Sequence, residues 1–266
     1  MKIQRAINLL LETSKRKKFI ISVIILSALL FFSEHLFGKS GIYIAFFISF
    51  LTGILFFWST YGDLKATRSF QVFILPFFYS LSFGLFYFLV PARFLTRLIM
   101  TSLYAVGLYS LFLSVNIFIV SSIRTIALLS SARTVSFVMA LLSYFFLSNV
   151  IFSLHINVFI TLFLIFGFSF LLILQAIWTY TLDKQIFSQI LWVSILTICL
   201  IEASFVLWFF PTAPTIIALF LSGFFYIVVG LSQVWFAKRL FRSVMWEYIW
   251  VAFAVFLIFV LFTFES

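Results

Sequence analysis

Residues 135–182 read VSFVMALLSYFFLSNVIFSLHINVFITLFLIFGFSFLLILQAIWTYTL, a run without Lys, Arg, Asp or Glu. As one straight helix it would extend about 72 Å at roughly 1.5 Å per residue, more than twice the ~30 Å hydrocarbon core of a bilayer. It has to turn, and Ser153-Leu154-His155-Ile156-Asn157 is the polar break near its middle. The stretch therefore predicts two membrane-length helices joined tightly, and the chain on both sides repeats that unit.

Downstream, the run 186–236 is also too long for one crossing. Pro211-Thr212-Ala213-Pro214 interrupts it, removing two backbone donors and disfavouring helix just before each ring. Upstream, apolar runs of about 20 residues recur from Phe19 onward. The predicted spans are 19–38, 41–61, 70–90, 98–120, 135–154, 158–182, 186–210, 215–236 and 244–264. Helices are expected because lipid cannot satisfy backbone N–H and C=O groups, and these runs lack the apolar/polar alternation of barrel strands. With 65% hydrophobic and 9% charged residues, no stretch could surround a core with a wet surface. The expectation is an all-α integral membrane protein, one polytopic bundle of about nine transmembrane helices over 19–266, with no soluble domain.

Orientation follows from Lys and Arg in alternate connections. Of the 17, fourteen fall on one side: Lys2, Arg5, Lys15, Arg16, Lys17, Lys18, Lys65, Arg68, Arg124, Arg133, Lys184, Lys238, Arg239 and Arg242. Lys39, Arg93 and Arg97 fall on the other. The N-terminus is expected in the cytoplasm and the C-terminus outside, in the cell membrane. Merging any two spans would flip the later connections and spoil this segregation.

Residues 1–18 form a basic leader. Ile3, Ala6, Ile7, Leu10 and Leu11 share one helical face, and Lys2, Gln4, Arg5, Asn8 and Glu12 the other. This pattern predicts a short cytoplasmic amphipathic helix on anionic lipid, with Lys2, Arg5, Lys15, Arg16, Lys17 and Lys18 contacting the surface. No small-residue cleavage pattern ends the first span, so it reads as an uncleaved anchor. The net charge of +10 is then a membrane signal, and nucleic acid is not an expected partner.

Much of the remaining composition is lipid-compatible bulk, above all the 42 Phe. Trp58, Tyr61, Trp235, Trp246, Tyr248 and Trp250 fall near the inner interface and Trp208 near the outer, as aromatic belts do. Ser80-x-x-x-Gly84, Ala218-x-x-x-Ser222, Gly223 and Gly230 predict close helix approaches. Pro76, inside the third span, predicts a kink.

Polar groups that lipid should resist carry the functional expectation. Glu202 lies about 12 Å below the outer end of its run, where a carboxylate costs about 2.5 kcal/mol or more. Glu34, His35, Arg93, Arg97, Asn149 and His155 also fall toward the outer side. The helix ends could converge there into a polar vestibule, with Arg97 pairing to Glu202 or Glu34. Asn116, Gln175, Gln189 and Gln233 are expected to form interhelical hydrogen bonds.

Zinc-protease, nucleophile-elbow, Walker and dinucleotide motifs are all absent from the sequence. One cysteine, Cys199, excludes an intramolecular disulfide and a Cys-based cluster. No cofactor, metal or catalytic residue is expected; membrane lipids and other membrane proteins are the expected partners. The sequence favours a non-catalytic membrane component. Next comes a small permease or lipid-handling protein using the vestibule. Third is an intramembrane enzyme with Glu34 or Glu202 as base and Arg93 or Arg97 holding a phosphate.

Overall fold

The computed structural model describes residues 14–37, 41–67, 70–91, 93–121, 128–182 and 187–265, with side chains described throughout except at 34–37, 63–67, 187–188 and 264–265. Among these residues stand nine long helices and no strand. They are α1 (Lys15–Phe37), α2 (Gly41–Thr67), α3 (Ile74–Leu89, entered through a 3₁₀ turn at Phe70–Phe73), α4 (Phe94–Ser121), α5 (Leu129–Ser153), α6 (Val158–Thr181), α7 (Phe187–Trp208), α8 (Pro214–Phe236) and α9 (Arg242–Glu265). Eight of them, α2 to α9, are long and apolar enough to cross a membrane. In α1 the first turn is Lys15-Arg16-Lys17-Lys18, so the basic residues expected to precede the first span begin its helix. Of the predicted amphipathic segment, residues 1–13, with Lys2 and Arg5, lie outside the described residues.

The two decisive turns form as their chemistry requires. α5 stops at Ser153, His155 takes φ 45°, and Asn157 caps α6 by accepting a hydrogen bond from the Phe159 amide at 3.1 Å. Pro214 opens α8, where its missing N–H costs nothing. Pro76 behaves otherwise than expected. It sits in the first turn of α3, directly after the 3₁₀ segment, so no interior helix bond is lost there.

Consecutive helices run up and down. Near one end of the bundle, Ser22 of α1 pairs with Ser59 of α2 at 3.3 Å, and Arg133 of α5 reaches the last carbonyls of α6. At the opposite end, which we call the far end, Gly41 of α2 lies against Phe88 of α3, and Asn149 of α5 donates to Thr215 of α8 at 3.0 Å.

α3 is the hub, packed against α2, α4, α5 and α6. Two thirds of its spanning window is buried (67%), against 6% for α9, which packs substantially on α8 alone. Small residues sit where helices come closest. Gly84 faces Ala45 of α2, while Gly223 and Gly230 of α8 face Val255 and Tyr248 of α9.

Hydroxyls join the hub to its neighbours. Thr52, Ser80 and Tyr104 link α2, α3 and α4 through contacts of 2.8 and 2.9 Å, and the fully buried Tyr144 of α5 accepts from Ser169 of α6 at 3.3 Å. Lipid offers these groups no alternative partner, so each bond keeps a polar atom from being stranded.

Candidate functional site

At the far end, the turn after α5 and the turn before α8 enclose a cavity of about 220 Å³. His155, Thr161 and Thr212 share its lining with Trp208, Pro211 and Pro214. Thr212 Oγ1 is buried and bonded to no described atom. Asn149 lies nearby in the chain but is fully engaged: it is buried, bonds Thr215, and its own carbonyl oxygens accept from the Ser153 hydroxyl. This cavity joins the two decisive turns, one of the expected vestibule histidines, and a hydroxyl without a partner.

Glu202 stands elsewhere. It is exposed on α7, about 9 Å short of the helix end at Trp208 by helical rise. It lines a groove of about 480 Å³ with Cys199, Val206, Phe224, Phe256 and Phe259, between α7, α8 and α9. Every other lining residue is apolar or the Cys199 thiol, and no described side chain makes a hydrogen bond or ion pair to Glu202.

Arg97 is not its partner. The first turn of α4 carries Arg97, which lines a small crevice with Tyr87, Val90, Pro91 and Met100. α4 shares no substantial interface with α7. Arg93 is exposed just ahead of α4. Glu34 and His35 fall in the last turns of α1, and their side chains are outside the described residues. Of the expected vestibule residues whose side chains are described, His155 lines the cavity with Asn149 near it in the chain, Arg93 and Arg97 stand at the α3–α4 turn, and Glu202 lies in an apolar groove.

Three of the four expected amides bond across helices. Gln175 donates to Ser136, Gln233 to the Ala176 carbonyl, and Gln189 to Thr181. Asn116 departs from the expectation, since its Oδ1 is buried without a described partner.

A further polar locus was counted in the sequence only as a positive charge beside a span. Arg133 is on α5, where its Nε donates to Thr179 O at 3.0 Å and its Nη2 to Tyr180 O at 3.2 Å. The guanidinium also lies 4.5 Å from the Tyr180 ring centroid. Helix α6 ends one residue later, at Thr181, and Leu182 caps it from the left-handed region with φ 51°. Arg133 thus satisfies carbonyls that a helix end leaves open and places a cation at the negative end of the α6 dipole. Arg239 lies near enough for its charge to act on Arg133. The signal available in the sequence was an Arg at the start of one helix whose antiparallel neighbour ends beside it.

Comparison with known proteins adds a family and no chemistry. The family described as Protein of unknown function (DUF5656) has a model that matches residues 35–262. The chain belongs to this family. The match takes in the membrane-length helices α2 to α9 almost whole and leaves most of α1 ahead of it. No curated protein and no solved structure matches the chain.

Proposed function

We propose that this member of the family is a non-catalytic, multi-pass component of the cytoplasmic membrane, with the basic start of α1 in the cytosol and the far end of the bundle outside. The observation that carries the reading is how its interior polar groups are used. Thr52, Ser80, Tyr104, Tyr144, Gln175 and Gln233 each bond a neighbouring helix, and Glu202 faces outward from the bundle. Groups spent on holding helices together are not poised to move protons or bind a polar substrate. The segregation of Lys and Arg supports the orientation.

A second reading, a lipid-handling protein, is favoured by one feature. The groove beside Glu202, about 480 Å³ in volume, joins an acid to an apolar wall of the kind an acyl chain would contact. Reconstitution separates the two. Purified protein in vesicles with a fluorescent lipid, quenched from outside by dithionite, should leave the inner-leaflet signal as stable as in protein-free vesicles. Accelerated loss that disappears in Glu202→Gln would replace the first reading with the second.

A further inference from the structure

α7 and α9 both pack on α8 yet share no substantial interface with each other. They leave a trough whose floor is Phe220 and Phe224 of α8 and whose walls are Val206 and Leu207 of α7 and Phe256 and Phe259 of α9. The α9 wall belongs to the least buried spanning helix of the bundle. Into this trough projects Glu202, the one carboxylate among its lining residues, without a described partner.

An exposed carboxylate beneath the ends of a membrane helix is stable when it protonates, meets water or meets a cation. Apart from Glu202 and the Cys199 thiol the lining of the trough is apolar, so it offers neither a second polar group to anchor water beside the acid nor a cation of its own. An acyl chain would fill the trough but offers the acid no donor. A helix fits both demands, since apolar ridges would fill the space between α7 and α9 and a single long basic side chain would reach the acid. We propose that the trough over α8 seats a transmembrane helix of a second protein, which presents a Lys or Arg to Glu202. This rests on the reading as a non-catalytic component and gives that component its partner class.

Photo-crosslinking in native membranes tests it with the full chain. Benzoylphenylalanine replaces Val206 or Phe256 on the trough walls, and Phe163, 74% exposed on α6, serves as the control position. Adducts from 206 and 256, but not from 163, should map to a transmembrane segment of another protein, with a Lys or Arg within a turn of the attachment point. Glu202→Leu should lower their yield about tenfold, the equivalent of one decade in affinity. Combining Glu202→Lys with the opposite change in the partner should restore it. If Glu202→Leu aggregates, Glu202→Lys with and without the partner's change carries the same comparison.

Several results would overturn the proposal: adducts to a second copy of this chain, a partner segment without a basic residue, or a yield indifferent to Glu202. Lipid adducts that are the same at 256 and 163 would also overturn it while leaving the non-catalytic reading intact. One lipid class enriched at 256 would remove both.

Discussion

Gly107 of α4 faces the hydroxyl of Tyr79 of α3 so closely that an added Cβ would overlap the oxygen and stand 2.8 Å from Cζ. Tyr79 has nowhere to go: it is fully buried, stacked on Tyr104 at 5.8 Å between centroids, and in contact with Phe83 at 4.6 Å. Its hydroxyl sits 3.3 and 3.4 Å from the carbonyls of Leu103 and Tyr104, long bonds that a small shift would break. Gly107→Ala should cost about 1–3 kcal/mol for overpacking, with ~0.6 kcal/mol more for the interhelical bond. At roughly 2–4 °C per kcal/mol for a chain of this size, the melting temperature should fall by about 3–14 °C. Far-ultraviolet circular dichroism during a thermal ramp in detergent supplies the assay, since the described residues are almost wholly helical. Tyr79→Phe in the same chain removes the overlapping oxygen and should recover about half of the loss. A Gly107→Ala protein that melts with the wild type, or a double variant no more stable than the single one, would refute the packing argument.

Other expectations follow from named contacts. Arg133→Lys keeps the charge but cannot reproduce the paired donation to Thr179 and Tyr180, so it should cost about 1.5–3 kcal/mol, seen as a lower melting temperature and faster amide exchange at Leu182. Asn149→Leu removes the α5–α8 bond to Thr215 and should destabilise by about 0.6–1.7 kcal/mol in an unfolding titration; no change would mean the bond contributes nothing net. Tags inserted near Pro211 and near Lys238, in the turns at the two ends of α8, should be reached from opposite compartments, with Lys238 on the cytosolic side. Access to both from one compartment would mean that α8 does not cross the membrane, and swapped compartments would reverse the assigned orientation.

What the sequence revealed depended on whether one helix could report it alone. The turns at His155 and at Pro211–Pro214 were legible because hydrocarbon-length limits force a break and only polar or proline residues were there to make it. Helix ends were less so. α4 begins at Phe94, several residues before its apolar run, and carries Arg97 inside it, because a helix follows backbone hydrogen bonds while hydropathy follows side chains. Pro76 looked interior for the same reason: nothing in its neighbours marks the 3₁₀ entry that moves the α-helix start past it. The expected pairing of Arg97 with Glu202 needed knowledge of which helices are neighbours. Charges at the far end of α4 and along α7 cannot reveal that other helices separate them. Nothing in the sequence singles out Tyr104 or Tyr144, because a Tyr facing a Ser on the next helix is a bonded pair only once the helices are placed.

The seam between α8 and α9 has a consequence for how the last helix finds its height in the bilayer. Gly223 and Gly230 are seven residues apart, and so are Val255 and Tyr248, which enter the two notches in reverse order. Sliding α9 by a single turn would lift both knobs onto neighbouring side chains at once, since two turns of helix separate the notches. Shape alone thus acts as a depth stop for a segment that has essentially one neighbour to recognise.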